Sequence, residues 1–171
     1  HCQCRRQRQM CIRDSNNYIG SLKQINQECG AWSEFYTNHR LIALTAKARD
    51  QGLFEKKHCN WVEKLCQRLD ELIPACKPSL IHGDLWSGNL LIDTSGHPVL
   101  IDPAVYYGHP EMDWAMLSLF GSYPVEALDH YQDLHPLEKG LNKRIDIHQL
   151  YPLMVHLILF GKGYPFPNKI R

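Results

Sequence analysis

Asp84, Asn89 and Asp102 place a carboxylate, a carboxamide five residues on and a second carboxylate thirteen beyond that in one short stretch. A carboxylate can take the proton of a hydroxyl as that hydroxyl attacks an electrophile. Amide and carboxylate oxygens are the donors a hard divalent cation prefers. A base and two oxygen ligands suffice for phosphoryl transfer from a nucleoside triphosphate, where the protein's work is positioning and charge neutralisation. Gly83 and Gly88 suit a loop that turns tightly beside a phosphate. His82-Gly83-Asp84 alone could be no more than an Asp capping a turn. The two spacings, with apolar runs between them, lift the set above that reading.

The positions must be brought together by the elements around them. Residues 79–81 form a short apolar run entering a loop at His82, and residues 89–92 form a second. Asp93-Thr94-Ser95-Gly96 supplies turn chemistry, and residues 98–101 complete a predicted hairpin with 89–92. Antiparallel pairing lays the start of one strand beside the end of the other. Asn89 and Asp102 then share one end of the ribbon, where a single metal could touch both. The order of a catalytic Asp, an Asn five positions later and a further Asp is also that of H-R-D-x-x-x-x-N and D-F-G in protein kinases.

The rest of the chain reads as helical. Trp32, Phe35, Tyr36, His39 and Ile42 share a face in a helix that starts at Ala31 and stops at Gly52. Residues 55–73 predict a second helix with His58, Trp61, Val62, Leu65, Leu69 and Leu72 inward, closed by Pro74. Residues 112–121 predict a third, buried through Trp114, Leu117 and Phe120. Pro124 suits the first turn of a fourth, through Tyr131. Residues 145–160 are apolar almost all round and predict a central helix. The expected class is α+β, mostly helical, with short hairpin strands around a site.

Composition sets the outer bounds. With 171 residues, 44% hydrophobic, 22% charged and a net charge of +1, the chain is long enough for one sizeable core. Near-neutral charge makes no case for nucleic acid or a membrane surface. The apolar stretch 150–160 is short for a span and contains His156. No leader with an apolar centre is visible. Seven cysteines, an odd number, speak against a disulfide framework and for reduced thiols in the cytoplasm. His1, Cys2, Cys4 and Cys11 fit no familiar zinc spacing. Residues 1–15 differ in composition from the rest of the chain and read as non-native or disordered, leaving 16–171 as the folded unit. Nothing in the sequence speaks to oligomeric state.

The run H-G-D-L-W-x-G-N, then Ile101-Asp102-Pro103-Ala104, then Tyr107-Gly108-His109-Pro110-Glu111-Met112-Asp113 resembles the fructosamine kinase (ketosamine-3-kinase) family, within the aminoglycoside phosphotransferase and choline kinase branch of the kinase-like fold. Asn17 to Gly20, Trp32 to Tyr36, Arg40-Leu41 and Phe160 to Tyr164 extend the likeness over residues 16–164. It implies the C-terminal lobe of a protein-kinase-like fold. The glycine-rich loop and the Lys that grip phosphates lie in an N-terminal lobe absent from this stretch, so the piece alone is expected to turn over negligibly. It also implies ATP and Mg2+ as cofactors. The acceptor would be a ketosamine, free or on protein, phosphorylated on its sugar 3-hydroxyl to an unstable product that releases the amine. Other small hydroxyl acceptors (an aminoglycoside, choline, a free sugar) and a non-catalytic kinase-like module stand as alternatives.

Each residue then has a candidate role. Asp84 is the base; Asn89 and Asp102 are the metal ligands. Leu91 and Ile101 either floor the adenine or pack in the core. Trp86 either stacks on a sugar or cation or anchors the core. His109, with Tyr106 and Tyr107, follows the metal Asp closely enough to line the acceptor pocket. His82 reads first as a hydrogen-bonding loop residue. Asp113 is a helix-start cap, or, by the kinase-like resemblance, the acceptor of loop backbone N–H groups.

Overall fold

A computed structural model describes residues 15–121, 123 and 125–162. Its first element is a hairpin of β1 (Asn17–Ile19) and β2 (Leu22–Gln24) in the register Ile19↔Leu22. Gly20 takes the turn with φ 55°, a conformation that costs glycine little. A Cβ there would come within 3.0 Å of Leu159.

Next, α1 (Trp32–Phe35) runs through a π-helical segment (Tyr36–Ile42) into α2 (Ala43–Asp50), and Gly52 (φ 69°) ends the run as expected. The expected helix over 55–73 divides into α3 (Lys56–Cys66) and α4 (Leu69–Leu72). Arg68 leaves helical geometry (φ −117°, ψ 2°), and Leu69 is fully buried. Trp61, expected inward, is 61% exposed. It lines an apolar groove between α3 and the last helix, with Val62, Leu65, Leu150, Met154 and Leu157.

The site region is built from three ribbons rather than one sheet. β3 (Ser79–Ile81) pairs with β6 (Tyr106–Gly108), a partnership not foreseen from sequence, while β4 (Leu90–Ile92) and β5 (Pro98–Leu100) form the expected hairpin in the register Leu90↔Leu100. The turn is locally encoded: Asp93 Oδ1 accepts the N–H groups of Ser95 and His97, each at 2.8 Å.

Three helices complete the described chain: α5 (Glu111–Leu119), α6 (Val125–Leu134) and α7 (Leu141–Phe160). Pro124, expected to open α6, lies outside the described residues. α5 buries Met112, Ala115, Met116 and Leu119, whereas Trp114, Leu117 and Phe120 are only partly buried. The i, i+3, i+4, i+7 stripe meets α7, and Trp114 instead packs edge-on against Tyr123 and Tyr131.

Pro152 interrupts α7 and removes the N–H that would satisfy the carbonyl of His148. The buried Tyr36 hydroxyl points there, donating to Ile147 O (2.7 Å) and His148 O (3.3 Å). The apolar core joins Tyr36, Leu41, Ala48 and Leu69 to Tyr106, Tyr151, Met154 and Val155. Each large side chain so buried contributes about 1.5–3 kcal/mol before ordering costs. Arg40, fully buried, lies over the rings of Phe35, Tyr106 and Tyr151 and donates to Ile25 O and Asn26 Oδ1. The result is α+β and mostly helical, as expected.

Candidate active site

The loop between β3 and β4 is held from three sides. Asp113, in the first turn of α5, accepts the N–H of His82 at Oδ2 (2.8 Å) and that of Gly83 at Oδ1 (2.9 Å). The His82 ring donates from Nε2 to Ile101 O (3.0 Å), so Nδ1 is left to accept the Asp84 N–H (3.3 Å). The Ala104 N–H donates to His82 O at 2.9 Å. Gly83 has φ 81°, and a Cβ there would stand 2.2 Å from Ala104 O, so only glycine fits.

This frame brings Asp84 and Asn89 together. Asn89 is 6% exposed and donates from Nδ2 to Asp84 O (2.8 Å) and Asp84 Oδ2 (3.2 Å). That engages the amide nitrogen with Asp84 and leaves Oδ1 as the amide's remaining acceptor atom. The Ile101 N–H bonds Asn89 O at 3.0 Å, which sets Asp102 beside Asn89 at the open end of the β4–β5 ribbon. Asp102 is exposed and takes φ 50°, the left-handed region where a non-glycine residue is strained. The β1–β2 hairpin steadies the chain just beyond it: Asn17 Nδ2 donates to Val105 O (2.7 Å), and Gln24 Nε2 to Ala104 O (3.1 Å).

Burial pushes the Asp84 carboxyl above its ordinary value, against the pull of His156, the Asn89 hydrogen bond and His82, while Asp102 adds repulsion. Asn89 Oδ1 and the Asp102 carboxylate are oxygen donors of the kind a hard divalent cation takes, with the Asp84 carboxylate hydrogen-bonded to the same Asn89 amide. Burial likewise raises Asp113, and its two loop hydrogen bonds oppose the shift.

The remaining expected residues divide. Trp86 is 37% exposed and meets Phe120 edge-on at 5.8 Å. Leu91 is 49% exposed on a ribbon whose other apolar residues, Leu90, Ile92, Val99 and Leu100, are exposed too; Ile101 is partly buried. His109 requires correction. It is 2% exposed and packed against Trp32 and His148, so it presents no surface to an acceptor. Tyr106 is enclosed as well, and Tyr107 lines a separate cavity of about 240 Å³ with Trp32, Cys29 and Cys76, apart from Asp84, Asn89 and Asp102.

Sequence reasoning passed over two features. His156 on α7 is the strongest electrostatic partner of Asp84; its Nδ1 bonds Pro152 O at 2.7 Å and its ring packs on Phe120. A histidine in the apolar stretch 150–160 was the available signal. Behind the site, Glu111 is wholly buried and receives Arg144 Nε at 2.9 Å and His148 Nε2 at 3.1 Å. His109, Glu111 and His148 offer ligand-type atoms within 4.8 Å of one another. Arg144 also engages the other Glu111 oxygen, at 2.5 Å. The carboxylate's charge is thus met by a guanidinium, and the cluster is an ion-pair network tying α5 to α7.

The sequence profile of the fructosamine kinase family matches residues 5–169, beginning inside the segment that composition set apart. The chain belongs to the fructosamine kinase family. It is 44% identical over 153 residues to "Probable ketoamine kinase" of Lactiplantibacillus plantarum, a match covering 88% of this chain and 55% of that protein. It is 38% identical over 155 residues to the chloroplastic protein-ribulosamine 3-kinase of Oryza sativa subsp. japonica, covering 87% and 44%. The crystal structure of "putative fructosamine-3-kinase" from Thermobifida fusca YX-ER1 superposes with a TM-score of 0.81 at 42% identity, over 87% of this chain and 52% of that one. The chain thus spans about half the length of the curated relatives it matches. No described helix is long and apolar enough to cross a membrane.

Proposed function

We propose that this chain is the C-terminal, phosphoryl-transfer lobe of an ATP-dependent kinase that acts on ketosamines, free or protein-bound, at the sugar 3-hydroxyl. The observation that carries the reading is the junction of Asp84, Asn89 and Asp102 at one end of the β4–β5 ribbon, made by the Asn89–Asp84 and Ile101–Asn89 hydrogen bonds. The names of two relatives, a probable ketoamine kinase and a protein-ribulosamine 3-kinase, support an acceptor bearing a sugar on an amine.

Asp84 orients the acceptor hydroxyl and takes its proton as the oxygen–phosphorus bond forms and the bond to the ADP leaving group breaks. A carboxyl pKa raised by burial suits it to hold that proton. Asn89 and Asp102 would hold Mg2+, which would supply positive charge against that of the nucleotide phosphates. Leu91 and Ile101 floor the adenine, and the exposed apolar ribbon around them faces the upstream lobe. Trp86 stacks on the acceptor, backed by Phe120 and, behind it, His156. Asp113 and His82 hold the loop in register. Phosphorylation labilises the sugar, so the net outcome is deglycation, in the cytoplasm. The lobe alone lacks half of the nucleotide cleft and is inactive.

The test is ATP consumption by the full-length protein on a panel of fructoselysine, ribuloselysine, aminoglycosides, choline and free sugars. Turnover confined to the ketosamines is expected; turnover confined to another acceptor overturns the substrate assignment. Asp84→Ala should lose about 10²–10⁴ in turnover while ATP still binds, the scale of a missing acid–base group. Undiminished turnover removes Asp84 as the base.

A further inference from the structure

The indole of Trp86 is gripped on two sides. A Cβ built on Gly88 would come within 2.3 Å of Trp86 Cη2, 2.5 Å of Cζ2 and 2.7 Å of Cζ3. All three atoms belong to the six-membered ring, which therefore occupies the space a side chain at 88 would need. Gly88 lies in the single 3-10 turn Ser87–Asn89, and its φ is not in the left-handed region. The backbone would accept alanine there. It is the indole that excludes it.

Phe120, just past the end of α5, meets the indole edge-on at 5.8 Å and 62°. Phe120 is backed by the His156 ring at 5.1 Å, and His156 by Phe160 at 5.8 Å. The pose of Trp86 is thus tied to the ends of α5 and α7, while 37% of the residue stays open. A ring held this way is ordered before a ligand arrives, so binding does not have to immobilise it.

We propose that Gly88 and Phe120 are positioning residues that fix the Trp86 indole as a preset platform, and that this platform selects acceptors offering an apolar C–H face or a cationic amine. The acceptor part rests on the ketosamine-kinase reading; the clamp rests on the contacts alone. Gly88 acts only by having no side chain, and Phe120 by closing off the rotation that would let the ring swing away.

Gly88→Ala, Trp86→Phe and the double variant of the full-length protein test this, with fructoselysine as acceptor at saturating ATP. Gly88→Ala should raise the acceptor KM about threefold to thirtyfold, the range spanned by one lost ring-stacking contact, with the KM for ATP within twofold of wild type. The double variant should match Trp86→Phe, because a phenyl lacks the ring the added methyl would strike. An unchanged acceptor KM in Gly88→Ala, or penalties that add in the double variant, overturns the proposal. Should Gly88→Ala not fold, Phe120→Leu decides: a raised acceptor KM with unchanged KM for ATP supports the clamp, and an unchanged acceptor KM refutes it. Near-ultraviolet circular dichroism separates the clamp from the acceptor preference. The Trp86 band, taken as wild type minus Trp86→Phe, should be lost or reshaped in Gly88→Ala even if no ketosamine is phosphorylated; its persistence refutes the clamp.

Discussion

Replacing Asp113 with asparagine changes one atom and should disarm a loop that Asp113 does not belong to. The native carboxylate accepts two backbone N–H groups, from His82 at 2.8 Å and Gly83 at 2.9 Å, one on each oxygen. Both are charge-assisted, worth about 1.5–3 kcal/mol apiece. Asparagine keeps one acceptor and turns an NH₂ toward the second N–H, so one bond is lost and two donors face each other. If half of the loop's anchorage to α5 goes, Asp84 shifts from the place the proposed mechanism gives it. A loss of about 1.5–3 kcal/mol in positioning corresponds to a fall in kcat of about 10- to 150-fold. The assay is steady-state turnover of the full-length protein on a ketosamine, with nucleotide affinity measured separately by calorimetry. ATP affinity should change little, because Asn89 and Asp102 are anchored through the β4–β5 ribbon rather than through α5. A kcat within threefold of wild type, in a variant of unchanged melting temperature, would show that the two bonds neither hold the loop nor matter to Asp84.

Three further perturbations probe the strained Asp102, the buried ion-pair network and the interrupted helix. Asp102→Gly relieves the strain of φ 50° and should leave the metal-free protein as stable as before or up to about 1 kcal/mol more so, while Mg2+-dependent turnover collapses; a destabilised Asp102→Gly contradicts the strain. The His109 ring, pushed down to about 4 by burial and then by His148 and Arg144, from an ordinary 6.5, stays neutral in the fold while the unfolded chain takes up a proton. Stability therefore falls as the pH drops from about 6.5 towards 4, by up to about 3 kcal/mol. Burial works against ionisation of Glu111, but its bonds from Arg144 and His148 prevail and hold its carboxyl well below the ordinary range, adding further loss in the same direction at lower pH. Urea unfolding at pH 7 and 5 should show that dependence in the wild type and much less of it in His109→Phe; equal slopes would exclude His109 as its source. Tyr36→Phe removes the hydroxyl donor shared by the Ile147 and His148 carbonyls, the second of which Pro152 deprives of its helical N–H, and should cost about 1–3 kcal/mol of stability, read as a lower denaturant midpoint; no change would mean the interrupted helix satisfies itself.

Much of the candidate site's local geometry was legible before any fold was known, and the reason is locality. The hairpin register, the turn at Asp93 and the stop at Gly52 depend on residues only a few positions apart, through side-chain-to-backbone bonds and alternation that any nearby structure must respect. The proximity of Asp84 and Asn89 comes from a loop with four residues between them, and that of Asn89 and Asp102 from antiparallel pairing. The features invisible in the sequence depend on distant partners. β3 finds β6 across more than twenty intervening residues, α5 turns its Met112–Leu119 stripe rather than Trp114 to α7, and Glu111 meets Arg144 from 33 positions away.

His82, His109 and His156 make the division concrete. Composition cannot tell the three apart. Packing assigns one to brace the loop, encloses a second against Trp32 and His148, and lays the third on Phe120. Chemical identity and spacing are properties of the chain, so a candidate base and candidate metal ligands are visible there. Exposure and mutual orientation come from which surfaces the core removes from water. That is a sum over the whole molecule, and no window of neighbouring residues contains it.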